Sequence, residues 1–90
     1  MRPPRALPRT RTEEAVASIW CEVLGAEAAD VHENFFDAGG NSLSAVRIVA
    51  RVRTLFGVDV SLRRLFQGPT IAELAGTIDA LASTPRARSA

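Results

Sequence analysis

The apolar residues of this 90-residue chain recur at helical spacing, and that pattern most constrains its fold. Val16, Ile19, Trp20, Val23 and Leu24 stand at i, i+3, i+4, i+7 and i+8, which is one face of a helix. This predicts a first helix over about residues 12–24. Its start is marked by a capping box of Thr10 with Glu13, or by Thr12 with Glu13 and Glu14 in the first turn. Gly25 is a natural stop, because a helix often ends on a left-handed residue. Trp20 lies inside the stripe, so it reads as core rather than as a binding aromatic, buried against the second and fourth helices. Cys21, beside the stripe, reads as a small packed or boundary residue.

The same periodicity continues downstream. A second helix is expected over residues 42–56, ending at Gly57. Val58-Asp59-Val60 is too short to justify a sheet. Ser61 caps a short third helix through about Gln67 that buries Leu62, Leu65 and Phe66. Gly68-Pro69 breaks the chain, and Thr70 with Glu73 makes a second capping box. Ile71, Leu74, Ala75, Ile78 and Leu81 define one buried face of the last helix. The fold class is therefore all-α: a small four-helix bundle of three longer helices and one short one. Residues 26–41 form a long loop, and such a loop is usually functional or pinned by its own packing. Val31, Phe35 and Phe36 supply the pins. Residues 1–9, with Pro3, Pro4 and Pro8, read as a flexible N-terminal linker, and 84–90 as a flexible C-terminal tail around a domain at 10–83.

Composition removes several functions. An apolar content of 47% suffices for one compact core. A chain this short buries only about 60% of its unfolded surface, so modest stability is expected, and its one core leaves little room for a second domain or a deep enzyme cleft. The formal net charge of +1 argues against nucleic acid as the main partner. One cysteine excludes an internal disulfide, and one Cys with one His cannot build a standard structural zinc site, so no metal is expected. No apolar run approaches the roughly 20 residues needed to span a membrane. Arg2, Pro3, Pro4, Arg5, Pro8 and Arg9 interrupt any signal segment. The expectation is a monomeric domain in the cytoplasm.

Against that background, Gly39-Gly40-Asn41-Ser42-Leu43 stands out, where a loop gives way to an apolar-periodic helix. Two readings compete for Ser42. As an N-cap, its hydroxyl accepts a hydrogen bond from an unpaired helical N–H. As a modification site, it would place a phosphodiester at the positive end of the helix dipole. The glycines would let an enzyme approach the backbone closely. A hydrolase triad of Ser42, His32 and an acid is disfavoured, because the chain lacks a Gly-x-Ser-x-Gly elbow and the strand-rich scaffold around it. His32 reads as an exposed loop residue, and no catalytic residue is expected.

Asn34-Phe35-Phe36-Asp37-Ala38-Gly39-Gly40-Asn41-Ser42-Leu43 resembles the core motif of peptidyl carrier, or thiolation, domains of nonribosomal peptide synthetases. The resemblance extends upstream through Thr12-Glu13-Glu14, Ile19-Trp20 and Val23-Leu24-Gly25. Downstream it takes in Leu65-Phe66 and Pro69-Thr70-Ile71-Ala72-Glu73-Leu74-Ala75, so it covers about residues 10–82. Arg5-Ala6-Leu7-Pro8 resembles the junction after an adenylation domain. Ala38 stands where the family usually has leucine, and Asn41 where His or Asp is common; neither removes the hydroxyl.

The resemblance implies an acyl-carrier-like bundle in which Ser42 bears a 4′-phosphopantetheine arm taken from coenzyme A by a phosphopantetheinyl transferase. It implies a non-catalytic domain that carries aminoacyl or peptidyl groups as thioesters. The implied partners are adenylation and condensation domains, with thioesterase or tailoring domains as further ones. The near-neutral charge separates the chain from the strongly acidic carriers of fatty-acid synthesis. The alternatives are a polyketide-type acyl carrier and an unmodified helical interaction module.

The second helix carries two apolar arcs. At ~100° per residue, Ala45, Ile48, Val49, Val52, Leu55 and Phe56 share the arc expected to face the core. Leu43, Val46 and Ala50 fall on a separate arc bordered by Arg47 and Arg51. A bundle helix needs only one stripe. Gly40, Asn41, Leu43, Val46 and Arg47 are therefore expected to form a docking patch. The competing expectation is that Leu43 and Val46 pack under the long loop with Phe35 and Phe36.

Overall fold

A computed structural model describes residues 7–83 of the chain. It contains α1 (Arg11–Leu24), α2 (Ser42–Phe56), α3 (Leu62–Gln67) and α4 (Ile71–Ser83), with no strand among the described residues. The expected linker and tail at 1–6 and 84–90 lie outside the described residues. The second and third helices span the expected ranges, and α1 starts one residue early.

The helix ends follow from local chemistry. Thr10 caps α1, its hydroxyl accepting from the Glu13 N–H at 3.0 Å. The reciprocal half of the box is displaced: the Glu13 carboxylate accepts from the Arg9 N–H at 2.8 Å, one residue further back. That bond accompanies a Glu13 side chain that is almost wholly buried. Gly25 closes the helix at φ 70°, a conformation that costs glycine little. Ser61 caps α3, its hydroxyl accepting from the Arg64 N–H at 3.1 Å.

The box expected at Thr70 and Glu73 forms only in its first half. The Thr70 hydroxyl accepts from the Glu73 N–H at 3.1 Å. The Thr70 N–H donates to the Gly68 carbonyl at 2.9 Å, so Glu73 has no donor to close upon. The long loop supplies what the box does not: the Val31 carbonyl accepts from the Ala72 N–H at 3.0 Å. An otherwise orphaned donor of the first turn is thereby satisfied.

Thr12 Oγ1 donates to Asp79 Oδ1 at 2.6 Å, so the start of α1 lies beside the end of α4. Arg51 pairs with Glu22, and a groove of about 510 Å³ brings Ala15 and Ser18 against Thr54 and Leu55. The start of α1 thus faces the end of α2, and α1 runs antiparallel to both neighbours. The first residue of α2, Ser42, stands at the opposite pole from the described chain ends.

Val16, Ile19 and Trp20 of α1 meet Ala45, Ile48 and Val52 of α2, Leu65 of α3, and Ile71, Leu74, Ala75 and Ile78 of α4. Val31, Phe35, Val58 and Val60 add to this core from the connecting segments, while Cys21 packs at its edge. Trp20 is 1% exposed and meets Phe35 edge to face, centroids 5.4 Å apart.

Five residues expected inside are exposed instead. Leu55 is 59% exposed, because it lies at the margin of its arc and faces the small side chains Ala15 and Ser18. Leu62 and Phe66 are each 37% exposed, since six-residue α3 turns only Leu65 fully inward. Leu81 lies past the level at which Asp79 meets the start of α1, and has no helix left to cover it. Phe36 does not pin the loop; it is about half exposed, for the reason given next.

Candidate functional site

The segment before α2 is a succession of tight turns. Asn34 Oδ1 accepts from the Phe36 N–H at 2.8 Å, a side-chain mimic of a backbone turn. The Asn34, Phe36 and Phe35 carbonyls accept from the N–H groups of Ala38, Gly39 and Gly40 respectively. The Phe35 N–H donates to the Pro69 carbonyl at 2.6 Å, tying the loop to the start of α4. Phe35 is completely buried under Trp20, and neighbouring Phe36 turns outward. Adjacent residues in so tight a turn cannot both enter one core.

Gly39 has φ 97°, which favours glycine. Gly40 has a different cause, and not the one expected from an approaching enzyme: a Cβ there would overlap the Phe35 ring. Gly40→Ala is therefore expected to destabilise the domain by about 1–3 kcal/mol through overpacking. Thermal denaturation followed by circular dichroism tests this, and an unshifted melt would show that the ring has room to move.

Asn41, not Ser42, is the N-cap of α2. It is extended, with φ −147°, and its Oδ1 accepts from the Ser44 N–H at 3.0 Å and the Ser44 hydroxyl at 3.3 Å. Ser42 is the first helical residue; it is exposed, and its hydroxyl makes no hydrogen bond among the described residues. No base is hydrogen-bonded to it. His32 is exposed, and its own N–H donates to Asp30 Oδ1 at 2.8 Å.

The first turn of α2 contains no acidic side chain to oppose a negative group at the helix start. An unengaged, exposed hydroxyl at that position suits a phosphodiester. The cap is already supplied by the neighbour, so modifying the serine would not undo the helix start.

Leu43 is 63% exposed and Val46 48%, so the second apolar arc does not pack under the loop. Arg47 and Asn41 are exposed beside them, and Gly40 is half-buried under the loop. Sequence reasoning missed three contributors to this surface. Phe36 and Phe66 touch across it, ring centroids 5.6 Å apart, and Leu62 lies one turn before Phe66 on α3. The signals were the adjacency of Phe35 and Phe36 and the shortness of α3.

Comparison with known proteins identifies the family and the fold. Residues 14–78 match the family model described as "Phosphopantetheine attachment site". A linear gramicidin synthase of Brevibacillus parabrevis is 50% identical over 74 residues, which is 82% of this chain and 1% of that protein. The solution structure of an active-site mutant peptidyl carrier protein superposes with a TM-score of 0.89 at 30% identity, covering 97% of each chain. A peptidyl carrier protein solved in complex with the phosphopantetheine transferase Sfp and coenzyme A gives a TM-score of 0.82 at 35% identity, covering 83% of this chain and 97% of that one. The chain belongs to the phosphopantetheine-attachment family and, by fold and sequence together, to its peptidyl carrier domains.

Proposed function

We propose that Ser42 is the attachment point of 4′-phosphopantetheine, and that the domain carries aminoacyl or peptidyl groups between catalytic partners of nonribosomal peptide synthesis. The observation that carries this reading is the exposed, unengaged Ser42 hydroxyl at the first position of α2, with Asn41 providing the cap. The arm, when attached, supplies a terminal thiol that holds an acyl group as a thioester. The chain's own residues do the rest. Asn41 fixes the helix start, Gly39 and Gly40 shape the turn before it, and α2 directs the serine away from the core.

The domain itself performs no catalysis in this reading: as a carrier domain it supplies the hydroxyl and presents the arm. A transferase supplies the arm from coenzyme A. Adenylation and condensation domains then act on it, in the cytoplasm. No helix among the described residues is long and apolar enough to cross a membrane. Incubation with coenzyme A and the transferase Sfp is expected to add the mass of one phosphopantetheine, carried by the peptide containing Ser42. Addition elsewhere, or none, would refute the assignment.

Gly40, Asn41, Leu43, Val46 and Arg47 form the docking surface in this proposal, joined by Phe36. Val46→Asp is expected to slow loading by about tenfold or more, as truncations at interface centres do. Because Val46 is half exposed, its melting temperature is expected to stay within about 4 °C of the parent. A variant that melts far lower, or loads at the parental rate, would remove Val46 from the interface.

A further inference from the structure

The net charge of +1 conceals a strong segregation along the fold. Residues 42–67, which build α2 and α3, hold five arginines against one aspartate, a net +4. Residues 10–41 hold one arginine against seven carboxylates, a net −6, and residues 68–83 hold two carboxylates and no base. The elements that carry Ser42 and its apolar surround are the positive ones.

The ion pairs sharpen this picture. Arg51 is engaged by Glu22, and Arg53 lies 3.3 Å from Asp59. Arg47 and Arg63 make no ion pair among the described residues, and both are exposed. Arg47 follows Val46 directly, and Arg63 stands one turn before Phe66. Helical neighbours at i and i+3 share a face. The exposed Phe36–Phe66 pair, Leu43 and Val46 are thus flanked on both helices by unpaired guanidinium groups. From Asn34 to Ala50 the only carboxylate is Asp37.

We infer that the enzyme acylating this domain presents an apolar docking site rimmed by aspartate or glutamate, and that Arg47 and Arg63 steer the encounter. This rests on the carrier reading given above. A carrier meets its acylating enzyme once per cycle and must then leave it. Complementary rim charges raise the association rate without a matching gain in residence time, which suits such a partner. An apolar, partly aromatic centre with an arginine rim is the composition of a protein interface. Phosphate binding would favour more free cations and a polar centre.

The test compares the parent with Arg47→Glu/Arg63→Glu, both first converted fully to the holo form by prolonged incubation with Sfp and coenzyme A, with conversion confirmed by mass. Aminoacylation by the adenylation enzyme that serves the domain is then measured at low and high salt. At ~50 mM salt, kcat/KM of the variant is expected to fall about tenfold or more with kcat kept; at ~500 mM the gap is expected to narrow to about threefold or less. A merely structural role would give the same loss at both salts and a lowered melting temperature. Equal kcat/KM at low salt, or an equal loss at both, overturns the inference. So does a variant that loses binding to duplex DNA or to phosphatidylserine vesicles while acylation is unchanged. If the parent takes up no phosphopantetheine, it is the carrier reading that fails.

Discussion

Ser42→Ala is expected to leave a folded domain that a transferase cannot load. Mass spectrometry after incubation with coenzyme A and Sfp should show the parent shifted by one phosphopantetheine and the alanine variant unshifted. The loss should be total rather than graded, because the hydroxyl oxygen is the atom to which the arm would be bonded. The fold should hardly notice. Ser42 contributes no cap, since the Asn41 carboxamide accepts from the Ser44 N–H. Alanine is a good helix former at an exposed position, so stability is expected to stay within about 0.5 kcal/mol. Asn41→Ala carries the opposite stability signature, a loss of about 0.5–2 kcal/mol from the missing cap. The pair separates the cap from the attachment point. Equal labelling of the Ser42→Ala protein would end the assignment.

The largest effect on stability is expected at Trp20. It is 1% exposed and packs edge to face against Phe35, which itself anchors the loop leading to Ser42. Trp20→Ala removes the largest buried side chain and should cost about 3–5 kcal/mol. For a domain of this size that approaches the whole folding free energy. The indole carries an unusual burden as well: its Nε1–H is buried with no hydrogen-bond partner among the described residues. Burying an unpaired donor costs free energy. Trp20→Phe discards that donor while keeping a ring, and is expected to lose far less than the alanine variant. Urea denaturation of the three proteins measures the order. A phenylalanine variant as unstable as the alanine one would mean that the smaller ring recovers none of the packing that the indole provides.

The helical frame was legible because its signals are local. The stripe through Val16, Ile19 and Trp20, the stops at Gly25 and Gly57, and the caps at Thr10 and Ser61 each need only near neighbours. What escaped the sequence depended on where elements end relative to one another. Leu81 is apolar and in phase with Ile78, yet α1 begins too low to cover it. Glu73 has the spacing of a capping box, but the Thr70 N–H is taken by Gly68, and the Val31 carbonyl arrives from 41 residues upstream. At the site, the proposed attachment serine was singled out from the motif, and the exposed arc of Leu43 and Val46 from the two-stripe pattern. The cap could not, because asparagine and serine are both good caps and stand side by side. The exposure of Phe36 required knowing that Phe35 had already filled the space beneath Trp20.

The antiparallel course of α1 beside α2 and α4 has a mechanical consequence. Both ends of the described chain lie at one pole, and Ser42 lies at the other, the length of α2 away. Fifteen helical residues span about 22 Å. Any chain joined at 7 or 83 is therefore joined at a pivot, and the bundle between pivot and serine is a stiff crank. A modest rotation at the pivot, ~60°, sweeps the serine through roughly 20 Å, using no change inside the core. A small rotation about one pole of the bundle thus becomes a long reach at the other.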